Sequence, residues 1–345
     1  MIKYSFENDY SEGAHPRILE ALAESNLKQR TGYGLDDECA EASEKIREIF
    51  GCPGAQVHFL VGGTQTNMTA IAAALRPHHA VIAAETGHIN VHETGAIEAT
   101  GHKVLTVRTE DGKLCPADIE TVAALHTDEH MVQPRLVYIS DSTEVGTIYH
   151  KKELKALSDA CRRLGLLLFL DGARLGAAFA CAENDLRPED LPELCDMFYI
   201  GGTKNGALFG EALVLVNPAL FEDFRWMIKQ KGGMLAKGWL LGLQFKLLFT
   251  DGLYWELAAH AEKQAAEIRD GLKELGVEFR WDSPTNQLFP IFNEEQVEKL
   301  SENFRMTEMD CLDGNRRVVR LVTSWSTKPE AAEEFLRAVR NVTGY

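Results

Sequence analysis

At 345 residues and 38.4 kDa, the chain is long enough for one large domain and a smaller one, each with a hydrophobic core. Its 45% hydrophobic and 26% charged residues are typical of a globular protein. The net charge of -16 makes nucleic acid and anionic lipid poor partners. An anionic small molecule would therefore need a local cluster of donors.

The first ten residues, MIKYSFENDY, lack the basic segment and apolar core of a signal peptide. The longest apolar runs, such as LGLLLFL, are too short to span a membrane. Seven cysteines are scattered without a C-x-x-C pair, which favours reduced thiols over a disulfide framework or a zinc site. We therefore expect a cytoplasmic protein.

Residues 1–50 have few strand-forming runs and are predicted to form a helical N-terminal arm. From 51 to 235, short apolar runs alternate with helical periods such as the stretch that ends at Gly165, which predicts a large α/β domain. Because the runs are apolar on both faces, the sheet is predicted to be mostly parallel and covered on both sides. The predicted strands are VHFLV (57–61), AVIAA (80–84), KVLTV (103–107), RLVYIS (135–140), LLLFLD (166–171) and MFYIGG (197–202), and a helix is predicted in INVHETGAIEATG after the second of them.

The run GEALVLVN (210–217) follows MFYIGG too closely for a helical crossover, so it is predicted to be antiparallel to that strand. Long amphipathic helices follow through Gly276, and then strand-like runs alternate with helices at 294–303 and 329–340. Residues 236–345 are therefore expected to form a smaller α+β domain.

Ligands of such sheets bind at the carboxyl ends of strands, so the residues that follow each run are the candidates. GGTQTN (62–67) offers free amides at a helix start to an anion, although taken alone such a stretch is more often a tight turn with a threonine cap. His88 and His92 have metal-ligand spacing but no obvious third ligand, and stacking on a flat ligand or an ordinary surface histidine are the alternatives.

Two further strand ends carry charges that are costly to bury. Asp171 directly follows an apolar strand, and it either pairs with Arg174 or meets a cationic ring nitrogen. Lys204 follows the next strand among glycines, and it either extends to solvent or is used covalently. The lysine lies 204 − 171 = 33 residues after the aspartate, enough for one crossover within a sheet. An aspartate for the pyridinium nitrogen and a lysine for a Schiff base are what pyridoxal phosphate requires.

With these motifs in order, the sequence resembles the threonine aldolase branch of the pyridoxal-phosphate β-eliminating lyases. The resemblance implies the aspartate-aminotransferase-like fold (fold type I), with a mostly parallel seven-stranded sheet and a smaller α+β domain. It also implies retro-aldol cleavage of threonine or allo-threonine to glycine and acetaldehyde, through an external aldimine and a quinonoid. The motifs that carry it are NDYSEGAHPRIL, GYGLDDE, GGTQTN, GHINVHETGAIEATGHKV, FLDGARLG, DMFYIGGTKNG and RLVTSW.

The resemblance also implies roles for individual residues. Lys204 would hold the cofactor, Asp171 would face its ring nitrogen, and His88 would stack on its ring. Arg320 and Arg174 would bind the substrate carboxylate, Arg174 also lying near the cofactor. Gly62, Gly63 and Thr64 would hold the phosphate.

Some positions depart from the family pattern. Leu235 stands where relatives often have an arginine that reaches a neighbouring subunit's phosphate, with Lys231 and Lys237 nearby. Asn205 replaces the usual glycine after the lysine, and His130 is the nearest match in order to a second active-site histidine. The base for the β-hydroxyl stays open between His88, His130 and a water molecule.

The resemblance implies a homo-oligomer, usually a tetramer, whose active sites form between two subunits, and an amino-acid substrate. No metal is expected. Another pyridoxal-phosphate lyase acting on a different amino acid is the main alternative. A binding protein without catalysis and a nicotinamide dehydrogenase are further alternatives, and the missing glycine fingerprint weighs against the latter.

Overall fold

The computed structural model describes residues 2–343, and its strands coincide closely with the apolar runs of the sequence. All seven strands of the large sheet begin and end within about two residues of the predicted bounds. The strands are β1 (Tyr4–Ser5), β2 (Gln56–Leu60), β3 (His79–Ala84), β4 (Lys103–Val107), β5 (Gln133–Ser140), β6 (Leu167–Asp171), β7 (Met197–Gly201), β8 (Glu211–Leu215), β9 (Gln287–Leu288), β10 (Ile291–Asn293), β11 (Phe304–Arg305), β12 (Thr307–Cys311) and β13 (Arg316–Val322).

Helices follow most strands of the first two thirds of the chain and cover the sheet. One predicted helix is wrong: after β3 only an α-helical turn (His88–Val91) and a 3₁₀ turn (Glu98–Thr100) form, because Thr94 and Gly95 between them adopt left-handed φ angles of 51° and 73° that interrupt a helix. The helices are α1 (Pro16–Glu24), α2 (Asp37–Ile49), α3 (Gly63–Ala74), α4 (His88–Val91), α5 (Pro116–Leu125), α6 (Lys151–Leu164), α7 (Leu175–Ala180), α8 (Asp190–Leu194), α9 (Phe224–Gln230), α10 (Trp239–Leu248), α11 (Leu253–Glu274), α12 (Glu294–Ser301) and α13 (Pro329–Thr343).

The central sheet has seven strands in the order β2-β8-β7-β6-β5-β3-β4. β3 to β7 run parallel to one another, whereas β8 is antiparallel to both β7 and β2, as predicted for residues 210–217. Both faces are buried: Phe198 and Ile200 belong to one hydrophobic cluster, and Met197 and Tyr199 to the other. This two-sided burial explains why the strands read as continuous apolar runs.

A second sheet, built from β9, β10, β12 and β13, packs with α12 and α13 around its own core. The long helix α11 belongs to both cores, since Leu253 and Leu257 pack under the large sheet while Ile268 and Leu272 pack in the smaller unit. The domain bounds 1–50, 51–235 and 236–345 stay a proposal. No helix within residues 2–343 is long and apolar enough to cross a bilayer.

The N-terminal segment connects the two units. β1 pairs in parallel with β11 of the smaller unit, so that Tyr4 lies opposite Phe304. A few residues later the chain reaches the large sheet, where the His15 amide donates to the Gly206 carbonyl. The segment between them therefore crosses the cleft between the two units.

Candidate active site

The topology brings the candidate residues to one edge of the large sheet. Because β2, β3, β5, β6 and β7 share one direction, their carboxyl ends meet there, together with the amino end of antiparallel β8. Asp171 is the last residue of β6, and the residues that follow the ends of the other strands are Gly62 to Thr64, His88, Glu144 and Lys204.

Lys204 follows β7 and enters a cleft between the large sheet and the smaller unit. Asp9, Arg174, Asn205 and Asn286 are among the residues that line this cleft. Burial and the nearby Arg174 guanidinium lower the pKa of Lys204, against the opposing effect of the surrounding carboxylates. A lysine with a depressed pKa is a better nucleophile near neutral pH than an exposed one.

Asp171 is the last residue of β6 and is 3% exposed. Its Oδ2 accepts hydrogen bonds from the Tyr138 hydroxyl and from Asn67 Nδ2 at 3.0 Å, and its Oδ1 accepts one from the Ala173 amide at 3.0 Å. Burial raises the pKa of Asp171, but the charge of His88 and these donors outweigh it and lower the pKa below its ordinary value. The carboxylate is therefore ionised in a buried position.

His88 begins α4 and is connected to Asp171 through one amide. Its Nδ1 lies 2.9 Å from Glu93 Oε1, and Asn67 Nδ2 donates to that same oxygen at 2.8 Å. Burial lowers the pKa of His88, but Glu93 and Asp171 raise it overall. The imidazole is held in place by a buried carboxylate, while its ring is still partly exposed to the cleft.

Arg174 does not pair with Asp171, the simplest explanation of the DGARLG motif. Its Nε and Nη2 instead donate to Asp9 Oδ2 at 2.7 Å and Oδ1 at 3.0 Å, a bidentate ion pair with the N-terminal segment. Asn286 Nδ2 donates to Asp9 Oδ2 at 3.0 Å, which ties the same carboxylate to the smaller unit. Asp171 is thereby left free of any arginine.

Arg320 enters the cleft from β13. Its Nη2 donates to the Glu7 carbonyl at 3.2 Å, and its buried Nε has no hydrogen-bond partner among the described residues. Burial and the nearby Arg174 lower the pKa of Arg320, although a guanidinium is still charged at neutral pH. An anion in the cleft would satisfy this group.

The chain matches the family profile described as beta-eliminating lyase over residues 9–295. It is 35% identical to a low specificity L-threonine aldolase of Pseudomonas aeruginosa, with 98% of each chain covered. The chain belongs to the threonine aldolase branch of the beta-eliminating lyase family. Among solved structures, it superposes on a Leishmania major threonine aldolase with 50% identity, a TM-score of 0.98 and 99% of each chain covered.

The fold type is also confirmed. An aspartate aminotransferase from Thermus thermophilus superposes with a TM-score of 0.72 at 16% identity, over 98% of this chain and 91% of the aminotransferase. Such a low identity shows the fold alone, and it is the expected aspartate-aminotransferase-like fold. Membership of the family makes pyridoxal phosphate the cofactor, as the sequence predicted.

The residues of this family member fit that cofactor. α3 begins after Gly62 with no side-chain cap, so the amides of its first turn, from Gly63 and Thr64 onward, are free for a phosphate. Thr66 is not a cap, because its hydroxyl donates to the Gly62 carbonyl at 3.0 Å. The buried ionised carboxylate of Asp171 suits a protonated ring nitrogen, and the Asn67 Oδ1 beside it is buried with no hydrogen-bond partner in the part of the chain that the structure describes.

Several residues of this edge went unnoticed in the sequence. Asn67 stands within GGTQTN and Asp9 within NDYSEG, so both had a motif as a signal, whereas Tyr138 looked like an ordinary strand residue. His130 does not belong to the site, because it is exposed just before β5, at the opposite edge of the sheet. The structure instead places Glu144 there, whose Oε1 accepts from the His88 amide at 2.9 Å and from Ser140 Oγ at 2.7 Å.

Proposed function

We propose that this protein is a pyridoxal-phosphate-dependent carbon–carbon lyase that cleaves L-threonine and L-allo-threonine to glycine and acetaldehyde. The observation that carries the proposal is that two side chains lie at the same edge of the large sheet: the buried, ionised Asp171 and Lys204, whose pKa is lowered. The relatives named low specificity L-threonine aldolase, which align over nearly the whole chain, support the choice of substrate.

Lys204 would hold the cofactor covalently, and the first turn of α3, from Gly62 to Thr64, would bind its phosphate. Asp171 would keep the ring nitrogen protonated, and the half-buried imidazole of His88 would stack on the ring. When bound, pyridoxal phosphate supplies the electron sink for the pair released by the broken Cα–Cβ bond.

Arg320 and Arg174 would bind the substrate carboxylate, but their donors differ. Two donors of Arg174 already bind Asp9, whereas the buried Nε of Arg320 has no hydrogen-bond partner within residues 2–343. Arg320 is therefore the main carboxylate ligand, and Arg174 adds charge from one side. Fixing the carboxylate decides which Cα bond stands perpendicular to the cofactor ring and is broken.

Borohydride reduction of the yellow protein, followed by peptide mapping, tests the lysine assignment. We expect one label, on Lys204, and a label on any other lysine would contradict the assignment. Glycine release from the four threonine stereoisomers then tests the reaction. Release from the two L isomers is expected, and no glycine from any isomer would refute the aldolase function.

A second candidate is another pyridoxal-phosphate lyase reaction on a different amino acid. The family profile, described as beta-eliminating lyase, covers residues 9–295 and therefore includes this chemistry. Product analysis with threonine, serine and phenylserine separates the two: pyruvate and ammonia from serine would support β-elimination, whereas glycine and an aldehyde support the aldolase.

We also propose a cytoplasmic homo-oligomer with active sites between subunits. All seven cysteines are free thiols, which suits a reducing compartment. Trp226 is 76% exposed beside Tyr33 and Lys229, an apolar surface that a second copy would cover. Lys237 is exposed and Lys231 is half-buried, and either could reach a neighbour's phosphate. Light scattering after size exclusion tests the assembly, and a purely monomeric active enzyme would contradict it.

A further inference from the structure

Glu211 is a buried carboxyl group that the proposed reaction leaves without a role. It opens β8, the one antiparallel strand of the large sheet, so it lies at the same edge as the carboxyl ends of the neighbouring strands. It faces Gly201 in β7 and Leu60 in β2, and it is 4% exposed. A glutamate in this position costs several kcal/mol unless its surroundings compensate for the lost hydration.

Both oxygens of Glu211 contact the two residues that precede Lys204. The Thr203 hydroxyl donates to Oε1 at 3.0 Å, and the Gly202 amide donates to Oε2 at 3.3 Å. The Gly210 amide completes the arrangement by donating to the Thr203 hydroxyl at 2.9 Å. The carboxylate therefore holds the turn from which the lysine side chain projects.

Glu211 also differs in its electrostatics from the other acids around Lys204. Asp9 is neutralised by Arg174, and Asp171 accepts three hydrogen bonds. Glu211 has no ion pair among residues 2–343. The titratable groups that face it are Lys204, which favours its ionised form, and Asp171, Tyr199 and Tyr254.

We propose that Glu211 is a positioning residue that fixes the backbone before Lys204 and whose charge favours the protonated form of the lysine nitrogen. The inference rests on Lys204 being the cofactor lysine of the proposed function. It assigns to this chain a carboxylate that acts on that lysine from outside the set of residues that would contact the cofactor or substrate.

The charges of the two side chains each favour the ionised form of the other. Burial raises the pKa of Glu211 to about 8, and the charge of Lys204 opposes the rise. Burial and Arg174 lower the pKa of Lys204, and the carboxylates of Asp9, Asp171 and Glu211 oppose that fall. An ammonium with a carboxylate and an amine with a carboxylic acid have the same net charge. The lysine can therefore lose its proton without leaving an uncompensated charge in the site.

The Glu211→Gln variant of the cofactor-loaded enzyme tests the inference. Glutamine keeps an oxygen for the Thr203 hydroxyl but removes the charge. The visible absorbance of the bound cofactor, titrated between about pH 6 and 10, reports the proton on the lysine nitrogen. We expect the midpoint to fall by about one pH unit, because a nearby carboxylate no longer favours the protonated form. An unchanged midpoint would overturn the inference.

A second variant covers the case in which the first does not fold. Thr203→Val retains the Glu211 carboxylate but removes the hydroxyl donor that stabilises its charge, so a smaller fall of the midpoint is expected. Glu262→Gln is the matched control, since Glu262 is also a buried glutamate whose burial raises its pKa to about 8, and it does not contact the turn before Lys204. An equal shift in the control would show a non-specific effect and overturn the inference.

Peptide mapping of the reduced enzyme separates the two proposals. A label on Lys204 with no change of midpoint in either variant refutes the role of Glu211 alone. A label on another lysine refutes the site assignment on which the role rests.

Discussion

At the scale of single residues, the site depends on keeping charges in a place where water cannot stabilise them. Asp171 is ionised although it is 3% exposed, because His88 and three hydrogen-bond donors compensate for its burial. The Nδ2 of the neighbouring Asn67 donates both to Asp171 and to Glu93, so this amide lies between the two carboxylates and binds both. The ionisation of the acids at this edge of the sheet is therefore set by the side chains and amides that surround them.

The Asp171→Asn variant removes the charge that would hold the ring nitrogen protonated. We expect it to retain the cofactor but to lose turnover by about 10²- to 10³-fold, because a charged partner contributes about 3–4 kcal/mol. Steady-state kinetics and the visible absorbance of the purified protein measure the two effects. Full activity in this variant would contradict the role of Asp171.

The Glu93→Gln variant tests the control of His88. With the charge of Glu93 removed, only Asp171 still opposes the effect of burial, and the pKa of His88 is expected to fall. Because the folded pKa is raised in the native protein, the pair stabilises the fold at low pH, and this contribution disappears as the pH rises through that pKa. Histidine NMR titration measures the shift, and an unchanged pKa would exclude Glu93 as its cause.

At the scale of elements, apolar runs predicted the strands well because both faces of the sheet are buried. Phe198 and Met197 point to opposite clusters, so no alternation of polar residues blurs the signal. The helix predicted after β3 is wrong because the left-handed conformations of Thr94 and Gly95 leave no mark on the hydrophobic pattern of the sequence. Asp9 was missed because its partner Arg174 lies 165 residues away, and contacts of that range leave no periodic pattern in the sequence.

The start of α3 yields a prediction about shape. A Cβ built on Gly63 would lie 3.0 Å from the Tyr199 hydroxyl, which borders Asp171. The Gly63→Ala variant is therefore expected to bind pyridoxal phosphate about tenfold more weakly, a cost of about 1.4 kcal/mol. Gly54→Ala is the control, because nothing lies within 4 Å of its Cβ. Equal affinities of the two variants in a fluorescence titration would refute the proposed crowding.

At the scale of the whole molecule, the cleft is built by two units and a segment that connects them. Asp9 binds Arg174 in the large unit and Asn286 in the smaller one. The family and the core of the site could be inferred from motifs at strand ends. The connection between the units could not, because it depends on where the packed chain brings its first residues.

The Asp9→Asn variant is expected to destabilise the protein by about 3 kcal/mol, since it leaves the buried Arg174 guanidinium without a charged partner. Urea denaturation measures the loss. Asp159→Asn breaks the exposed pair with Lys155 and serves as the control, with essentially unchanged stability. Similar losses of unfolding free energy in the two variants would show that the buried Asp9–Arg174 pair stabilises the protein no more than an exposed pair does.

The pairing of β1 with β11 has a consequence for biosynthesis. Tyr4 leaves the ribosome 304 − 4 = 300 residues before its partner Phe304. A nascent chain can complete the seven-stranded sheet, with Lys204 and Asp171 in place, long before Asn286 and β11 are available to fix the segment that carries Asp9. The cleft is thus assembled last, and a chain released early would contain the reactive lysine without the contacts that enclose it.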